Sequence, residues 1–246
     1  MAFAMGIPLL TFPVAAQIAD ATASAGTSRY QLDEAQRKLK AGAELKQQEH
    51  QRILGVIPDF NTSNVQDAEP LSAGQKWHLA LKSAIDPFTF VAAGIDAGLN
   101  QATDDHAGYG QGAEGYGKRL GASYADSFSG TMLGNALFPM LLHQDPRYFR
   151  KGSGSFSSRL MHALAATVIC RNDNGKLAPN YSNLLGNLAA GSISNLYYPP
   201  DERGAGLTFD RALTVSAEGT IGTVFVEFWP DISKKLSPKG HGKDVP

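Results

Sequence analysis

The stretch EGYGKRLGASYADSFSGTMLGNALFPMLL, residues 114–142, decides the fold. Large side chains recur in it every four residues, and small ones recur beside them at the same spacing. Residues four apart lie on one face of an α-helix, so both series form ridges on a single long helix. The large series is Leu120, Tyr124, Phe128 and Met132, and the small series is Gly117, Gly121, Ala125 and Ser129, with Gly130 and Gly134 on a neighbouring line.

The ridge of small residues predicts a close approach between helices, as in pairs of membrane helices. Gly94 and Gly98 repeat the spacing in the preceding predicted helix. A glycine inside a helix costs roughly 1 kcal/mol relative to alanine, so this many glycines must be offset by tight packing. We therefore expect an all-α fold, a compact bundle of about five to six helices with ridges of Gly, Ala and Ser.

Capping residues predict where the other helices begin. Ser72 is a candidate N-cap, and Asp86 followed by Pro87 is a typical start for the next helix. Pro230 is expected to stop the last helix. Strand signals are poor, because no long segment alternates apolar and polar residues. The helices predicted around the central one lie at about residues 72–82, 87–103, 157–170, 182–197 and 208–229.

The N-terminal part divides into an apolar segment and an arm. Residues 1–16 are apolar and end in small residues, which resembles the core and cleavage site of a secretory signal without its basic start. Residues 17–70 are expected to be a flexible or helical arm and linker, disordered at residues 19–28. The helical domain then spans residues 71–236, and residues 237–246 form a disordered tail. This organisation predicts export to the cell envelope, in the periplasm or at a membrane.

The composition narrows the partners. The formal net charge is −1, so we exclude nucleic acid, and charged residues make up only 18% of the chain. No stretch reaches the roughly 20 predominantly apolar residues of a membrane span. We expect a helical domain at or partly in a membrane, with self-association as a further option and a soluble periplasmic bundle as the alternative. The single cysteine, Cys170, excludes an internal disulfide and is interpreted as a small buried hydrophobe.

The densest polar cluster is HQDPRYFR, residues 143–150. His143 and Asp145 are candidates for an acid–base pair or for metal ligands. The favoured interpretation is structural, with Asp145 and Pro146 ending the long helix and Arg147 pairing with a carboxylate. No HExxH, HxxxH or GxSxG motif occurs, so neither a metal, a cofactor nor a serine nucleophile is predicted.

Two carboxylates, Asp126 and Glu218, lie among small and apolar neighbours on predicted helices. A buried carboxylate needs a partner. We interpret both as members of a polar network that fixes helix register, with a proton or substrate site as the alternative. The available cationic partners are Arg119, Arg147, Arg159 and Arg211.

Four long motifs occur in order between residues 53 and 236: YGQGAEGYGKR, LLHQDPRYFRKGSGSFSSR, PNYSNLLGNLAAGSISNLYYP and VEFWPDI. Together they resemble a family of envelope proteins common in Acidobacteria, for which no activity is established. The resemblance implies export and a single domain, and it carries over no catalytic residue.

The sequence therefore favours a non-enzymatic, membrane-associated structural or interaction protein of the envelope. Two alternatives stay open. One is a small hydrolase or transferase that uses His143 and Asp145 with Glu218 or Asp126. The other is a lipid-binding or transport component with a cavity between its helices. The identity of any small-molecule ligand is not predicted.

Overall fold

The computed structural model describes residues 14–53 and 57–236, and it is mostly helical. The chain divides into two compact units, Met1–Lys40 and Ala41–Pro246. All the sites described below belong to the second unit. The helices are α1 (Val14–Gln48), α2 (Ala73–Ala84), α3 (Pro87–Thr103), α4 (Gly112–Met132), α5 (Phe138–Leu141), α6 (Phe156–Ala165), α7 (Tyr181–Ser194) and α8 (Ala205–Leu236).

The N-terminal boundaries differ from the prediction. Residues 19–28, predicted to be disordered, are helical within α1, because the segment is rich in alanine, the strongest helix former. The second unit begins at Ala41 rather than at residue 71, since Leu45 and Phe60 join Leu71 and Leu79 in one apolar cluster. The signal-like segment 1–16 lies largely outside the described residues, and the predicted tail 237–246 lies outside them entirely.

Short strands replace parts of the predicted linker and of the predicted helix 157–170. They form an antiparallel pair, a parallel pair and an antiparallel three-stranded sheet. Strands of two to four residues are too short to show an alternating pattern, so no sequence signal predicts them. They are β1 (Arg52–Ile53) with β2 (Ile57–Pro58), β3 (Thr62–Ser63) with β5 (Tyr148–Phe149), and β4 (Gln144–Asp145), β6 (Ile169–Asn172) and β7 (Leu177–Pro179) in the order β4-β6-β7.

The two predicted caps are confirmed. The Ser72 hydroxyl accepts the backbone N–H of Gln75, and the Gln75 side chain accepts the backbone N–H of Ser72, which completes a capping box on α2. Asp86 caps α3 by accepting the N–H of Phe88 at 2.9 Å, and Pro87 is the first helical residue.

The long central helix is interrupted. α4 passes into a π-helical turn, Leu133–Leu137, before α5. The helix ends at Leu141, and His143 adopts the left-handed conformation with φ of 53°. The prediction that Asp145 and Pro146 end the helix was therefore wrong, because the reversal is made two residues earlier.

Pro230 does not stop the last helix, which continues through it to Leu236. A proline inside a helix removes one backbone hydrogen bond. Here Arg159 bridges the helix on both sides of the proline. Its guanidinium donates to the Glu227 carbonyl and to the Asp231 carboxylate, both at 2.5 Å, and so holds the two turns together.

Large apolar residues are sparse in the core of the second unit. α7 buries Ser182, Gly186, Asn187, Ala190, Gly191 and Ser194. α3 buries only Ala93 and Ala97. The larger buried groups form the cluster around Leu45 and a second cluster of Tyr109, Ala122, Tyr198 and Leu207. The helices therefore approach closely through small and polar side chains.

Of the glycines that the sequence pattern selected for close packing, Gly134 meets the backbone of another helix, and the others do not. A Cβ atom added at Gly117 or Gly121 would meet no described atom within 4 Å, so their side of α4 forms no tight contact. Gly94 and Gly98 lie beside the Tyr116 ring, and Gly130 faces Val215. Two glycines of α7 approach the backbone of neighbouring helices closely: a Cβ at Gly186 would lie 2.6 Å from the Gly134 Cα, and one at Gly191 would lie 2.4 Å from the Thr208 carbonyl oxygen.

Candidate functional site

The two candidate acid–base residues face different partners. The His143 side chain is 83% exposed, and its Nδ1 lies 3.8 Å from the Asp173 carboxylate. Asp173 in turn accepts two hydrogen bonds, at 2.7 and 2.8 Å, from the buried ammonium of Lys76. Asp145 is buried and bound to Arg147. His143 therefore lies beside the Lys76–Asp173 ion pair, whereas Asp145 forms a different ion pair with Arg147.

Asp145 and Arg147, two residues apart in the sequence, form a buried ion pair that holds the turn together. One Asp145 oxygen accepts from the backbone N–H and the Nε of Arg147, and the other accepts from Nη2 at 2.7 Å. Nη2 also donates to the Glu69 carbonyl, which ties the segment before α2 to this turn. The structural interpretation of Asp145 fits this arrangement, although Arg147 pairs with the carboxylate two residues before it.

Asp126 is the centre of a second buried cluster. Its carboxylate accepts hydrogen bonds from the hydroxyls of Ser194, Tyr197 and Tyr198 at 2.5–2.7 Å, and the Arg211 Nε lies 3.4 Å away. Burial and the nearby Asp126 carboxylate raise the pKa of both tyrosines. Neither phenol therefore ionises near neutral pH, and the cluster locks α4 to the end of α7.

Glu218 does not join that cluster through a hydrogen bond. The residue is exposed as a whole, but packing around its carboxyl raises its pKa, and the Asp96 carboxylate adds to the rise. Arg211 acts in the opposite direction. Asp126 and Glu218 are therefore coupled electrostatically and are not joined by a hydrogen bond.

Glu227 is a buried carboxylate that the sequence analysis did not select. It is 0% exposed, and it accepts hydrogen bonds from the Tyr148 hydroxyl, the Arg159 Nε and two backbone N–H groups, Lys151 and Gly152. Burial raises the pKa of Glu227, but these hydrogen bonds outweigh it, so the net shift is downward. The sequence feature that selected Asp126 also applies to Glu227. Each is a carboxylate among apolar neighbours on a predicted helix.

Arg119 organises the glycine-rich loop between α3 and α4. The side chain is 1% exposed and donates to the carbonyls of Asp105, His106 and Gly110 and to the Gln101 side chain. Several residues of this loop have positive φ. The four predicted arginines thus serve three clusters and one loop rather than a single network.

A cavity of about 570 Å³ lies between the inward face of α8 and the elements opposite it. Its wall mixes hydroxyls and amides with apolar groups. The polar part includes side chains of α4, α7 and α8 and of several connecting segments, and β5 contributes the aromatic residues Tyr148 and Phe149. The lining residues include Asn135, Thr167, Asn183, Ser216, Gly219, Thr220, Thr223, Phe149, Ile169, Leu177 and Val226.

Three ionisable groups in the wall have raised pKa values. One is Tyr148, whose pKa is raised by burial and by its hydrogen bond to Glu227. Burial raises the pKa of Asp59 to about 6, against the lowering effects of a Thr62 hydrogen bond and of Arg150. Burial, with a contribution from Asp145, raises the pKa of the Cys170 thiol to about 11. Cys170 is half-buried rather than buried as predicted, and it stays protonated at neutral pH. A thiol in that state is a poor nucleophile.

Among the described residues, no group of three or more His, Cys, Asp or Glu side chains is arranged to hold a metal ion. In the same part of the chain, no helix combines the length and apolar character needed to cross a membrane. A scan against protein-family models, a search of curated proteins and a search of solved structures gave no match.

Proposed function

We propose that this protein is a non-enzymatic, membrane-associated structural or interaction protein of the cell envelope. The observation that carries the proposal is an inverted distribution of side chains on its helices. Small and polar residues are turned inward, and large apolar residues are turned outward. A helix on the surface of a water-soluble domain has the opposite arrangement.

Helix α7 illustrates the inversion most clearly. Its buried residues are serine, glycine, asparagine and alanine. Its outward residues include Leu184 and Leu185, and Leu196, two residues beyond its end, is 76% exposed. Burying a leucine side chain in the core stabilises a folded protein by about 1.5–3 kcal/mol. Leucines that face water instead do not provide this stabilisation.

Helices α3 and α8 carry the same feature. On α8, Phe209, Leu213, Ile221 and Phe225 follow a four-residue spacing and are all exposed, whereas Ser216 and Thr220 face the cavity. On α3 the exposed residues are Phe90, Val91, Ile95 and Leu99. Contiguous apolar patches on a protein surface mark interaction sites for membranes or partners.

Lipid is the partner we favour, because the outward rows occur on several helices rather than on one patch. Small residues and hydrogen-bonded polar groups between helices are typical of bundles whose exterior is apolar. Export is part of the proposal, and its support is the signal-like segment 1–16 and the resemblance to envelope proteins.

The two alternatives differ in their support. The hydrolase or transferase alternative required His143 and Asp145 to act together, and these residues bind separate partners. A lipid-binding role is the second candidate function, and the observation that favours it is the cavity beside α8.

Flotation with phosphatidylcholine vesicles tests the proposal. We expect the full chain to rise with the vesicles and the triple variant Leu184→Gln, Leu185→Gln, Leu196→Gln to stay at the bottom of the gradient. The matched control is Ser192→Gln, an exposed polar position on the same helix, which should rise like the wild type.

Melting curves must show that the triple variant is folded. Flotation of the triple variant at the wild-type level would contradict the proposal. A wild-type chain that stays at the bottom as a defined oligomer would assign the outward faces to a second copy and would also contradict it.

A further inference from the structure

The hydroxyl groups of α8 that line the cavity present hydrogen-bond acceptors. Ser216 donates to the Ala212 carbonyl at 2.7 Å, and Thr220 donates to the Ser216 carbonyl at 2.7 Å. Thr223 does the same to the Gly219 carbonyl at 2.8 Å. Each hydroxyl has one proton, and these protons are used within the helix. What remains for a bound molecule is the oxygen lone pairs.

Thr167 extends this acceptor surface from the opposite wall. Its Oγ1 lies 2.6 Å from the Thr220 Oγ1, and the Thr220 proton is already given to a backbone carbonyl. Thr167 must therefore donate to Thr220 and keep only lone pairs for another molecule. Asn183 is likewise committed, since its amide donates to the Thr167 carbonyl and its oxygen accepts from Asn187. A ligand that binds these hydroxyl oxygens has to donate hydrogen bonds to them.

The π-helical turn adds an amide to the wall. Asn135 lies in this turn and lines the cavity, and its side chain has no hydrogen-bond partner among the described residues. π-helical turns occur frequently at functional sites, because the extra residue redirects side chains. The amide of Asn135 is able both to accept from and to donate to a bound polar group.

The formal charges of the side chains in the cavity wall sum to zero. It contains two carboxylates, Asp59 and Asp145, and two guanidinium groups, Arg147 and Arg171. Asp145 and Arg147 neutralise each other, and Arg171 donates to the Gln66 side chain at 2.7 Å and lies over the Phe149 ring. The wall therefore carries no net formal charge, and this favours an uncharged ligand over an anion such as a fatty acid.

Apolar side chains form a further part of the wall. Phe149 and Val226 contribute to it, together with Ile169 and Leu177 of the β6–β7 hairpin, which are exposed and so lie at the rim. A volume of about 570 Å³ falls in the usual range for small-molecule sites. The site therefore combines an acceptor-rich wall with an apolar wall.

We propose that this cavity binds an uncharged amphiphile, whose hydroxyl groups donate to the acceptors of α8 and whose hydrocarbon part lies against Phe149, Ile169 and Leu177. The proposal rests on the second candidate function, lipid binding, and names its ligand class. It does not depend on whether the outer surface binds a membrane.

Titration calorimetry of the full chain with three eight-carbon compounds tests the ligand class. The probe is 1-octanoylglycerol, which has two hydroxyl groups. Methyl octanoate has the same chain without a hydroxyl, and octanoate carries a charge. We expect one molecule of 1-octanoylglycerol to bind and the other two to bind at least about tenfold more weakly, because each lost hydrogen bond reduces affinity. Equal binding of methyl octanoate, or tighter binding of octanoate, would overturn the proposal.

Two variants locate the binding in the cavity. A Cβ at Gly219 meets no described atom within 4 Å, so Gly219→Phe fills the cavity without a backbone clash and removes a helix-weakening glycine. We expect it to melt no lower than the wild type and to lose 1-octanoylglycerol binding. Gly117→Phe is the matched control, since Gly117 is equally uncrowded and lies outside the cavity. Wild-type binding by a folded Gly219→Phe protein would overturn the proposal.

Flotation separates this proposal from the membrane proposal. Gly219→Phe should rise with vesicles as the wild type does, because the outward faces are unchanged. A wild-type chain that floats but does not bind 1-octanoylglycerol would overturn the cavity ligand alone. A chain that binds 1-octanoylglycerol but does not float would overturn the membrane proposal alone.

Discussion

At the scale of single residues, buried charged side chains fix the alignment of neighbouring segments. Asp126, Asp145 and Glu227 are each surrounded by several donors, and each joins segments that are otherwise connected by small side chains. Removing one partner of such a pair typically costs about 3–5 kcal/mol, because the other charge is left buried and uncompensated. The number of donors that each carboxylate already accepts from favours a structural role over a catalytic one.

Asp59 differs from these carboxylates, and it makes stability depend on pH. Its pKa rises from 3.8 to about 6 on folding, so the folded state holds the proton more tightly than the unfolded state. The stabilisation is complete below pH 3.8 and is lost as pH rises through 6. The full loss corresponds to about 3 kcal/mol.

We therefore expect Asp59→Asn to gain stability relative to the wild type as pH rises from 4 to 7. The free energy of unfolding, measured by urea denaturation across this range, should diverge between the two proteins by about 2–3 kcal/mol. Asp67→Asn, at an exposed position, should follow the wild-type curve. Parallel curves for Asp59→Asn and the wild type would contradict the burial of this carboxyl.

At the scale of elements, glycine positions on α7 decide how closely the helices pack. Gly186 crosses the π-helical turn at Gly134, and Gly191 crosses the start of α8 at Thr208. These two crossings join α7 to the central helix and to α8. The ridge at Gly117 and Gly121 satisfies the same sequence pattern but faces outward.

We expect Gly186→Ala to destabilise the protein by about 1–3 kcal/mol, the usual cost of overpacking a tight contact. The added Cβ would lie 2.6 Å from the Gly134 Cα and 2.8 Å from its N, and both are backbone atoms that cannot move aside alone. Thermal melting measures the effect.

Gly121→Ala is the control for this prediction. It should be neutral or stabilising by up to about 1 kcal/mol, because its Cβ is uncrowded and alanine favours the helix. An equal loss in both variants would mean that glycine conformation rather than helix contact explains the effect at Gly186.

At the scale of the whole molecule, the distribution of side chains matters more than the overall composition. The formal net charge is −1, so the chain has no general attraction to an anionic surface. Any binding to lipid has to come from the outward apolar rows of α3, α7 and α8. Vesicle binding that comes from apolar side chains should depend little on the salt concentration.

We expect vesicle binding to be insensitive to ionic strength between about 0.05 and 1 M NaCl, since apolar contacts are not screened by salt. Flotation at both concentrations measures it, with neutral and with anionic vesicles compared side by side. Release at high salt, or a strong preference for anionic lipid, would show that basic residues rather than the apolar rows make the contact.

The sequence by itself determined the helices, because capping residues and apolar spacing act within a few residues of each other. The caps at Ser72 and Asp86 and the bounds of α3 follow from it directly. The sequence also indicated that Arg147 pairs with a carboxylate, but it did not indicate that this carboxylate is Asp145. The short strands and the passage of α8 through Pro230 depend on contacts between distant segments, and local signals do not encode them.

Tertiary structure alone decided which ridge is buried. Gly117 and Gly186 occur in equally small-residue surroundings, and only the packing of α7 on the π-helical turn distinguishes them. The same holds for the site. Ser216, Thr220 and Thr167 are ordinary helical or loop hydroxyls in the sequence, and they become an acceptor surface because α6 and α8 meet across a cavity. Side-chain direction relative to a neighbouring helix is a property of the assembled chain, and spacing along one helix does not determine it.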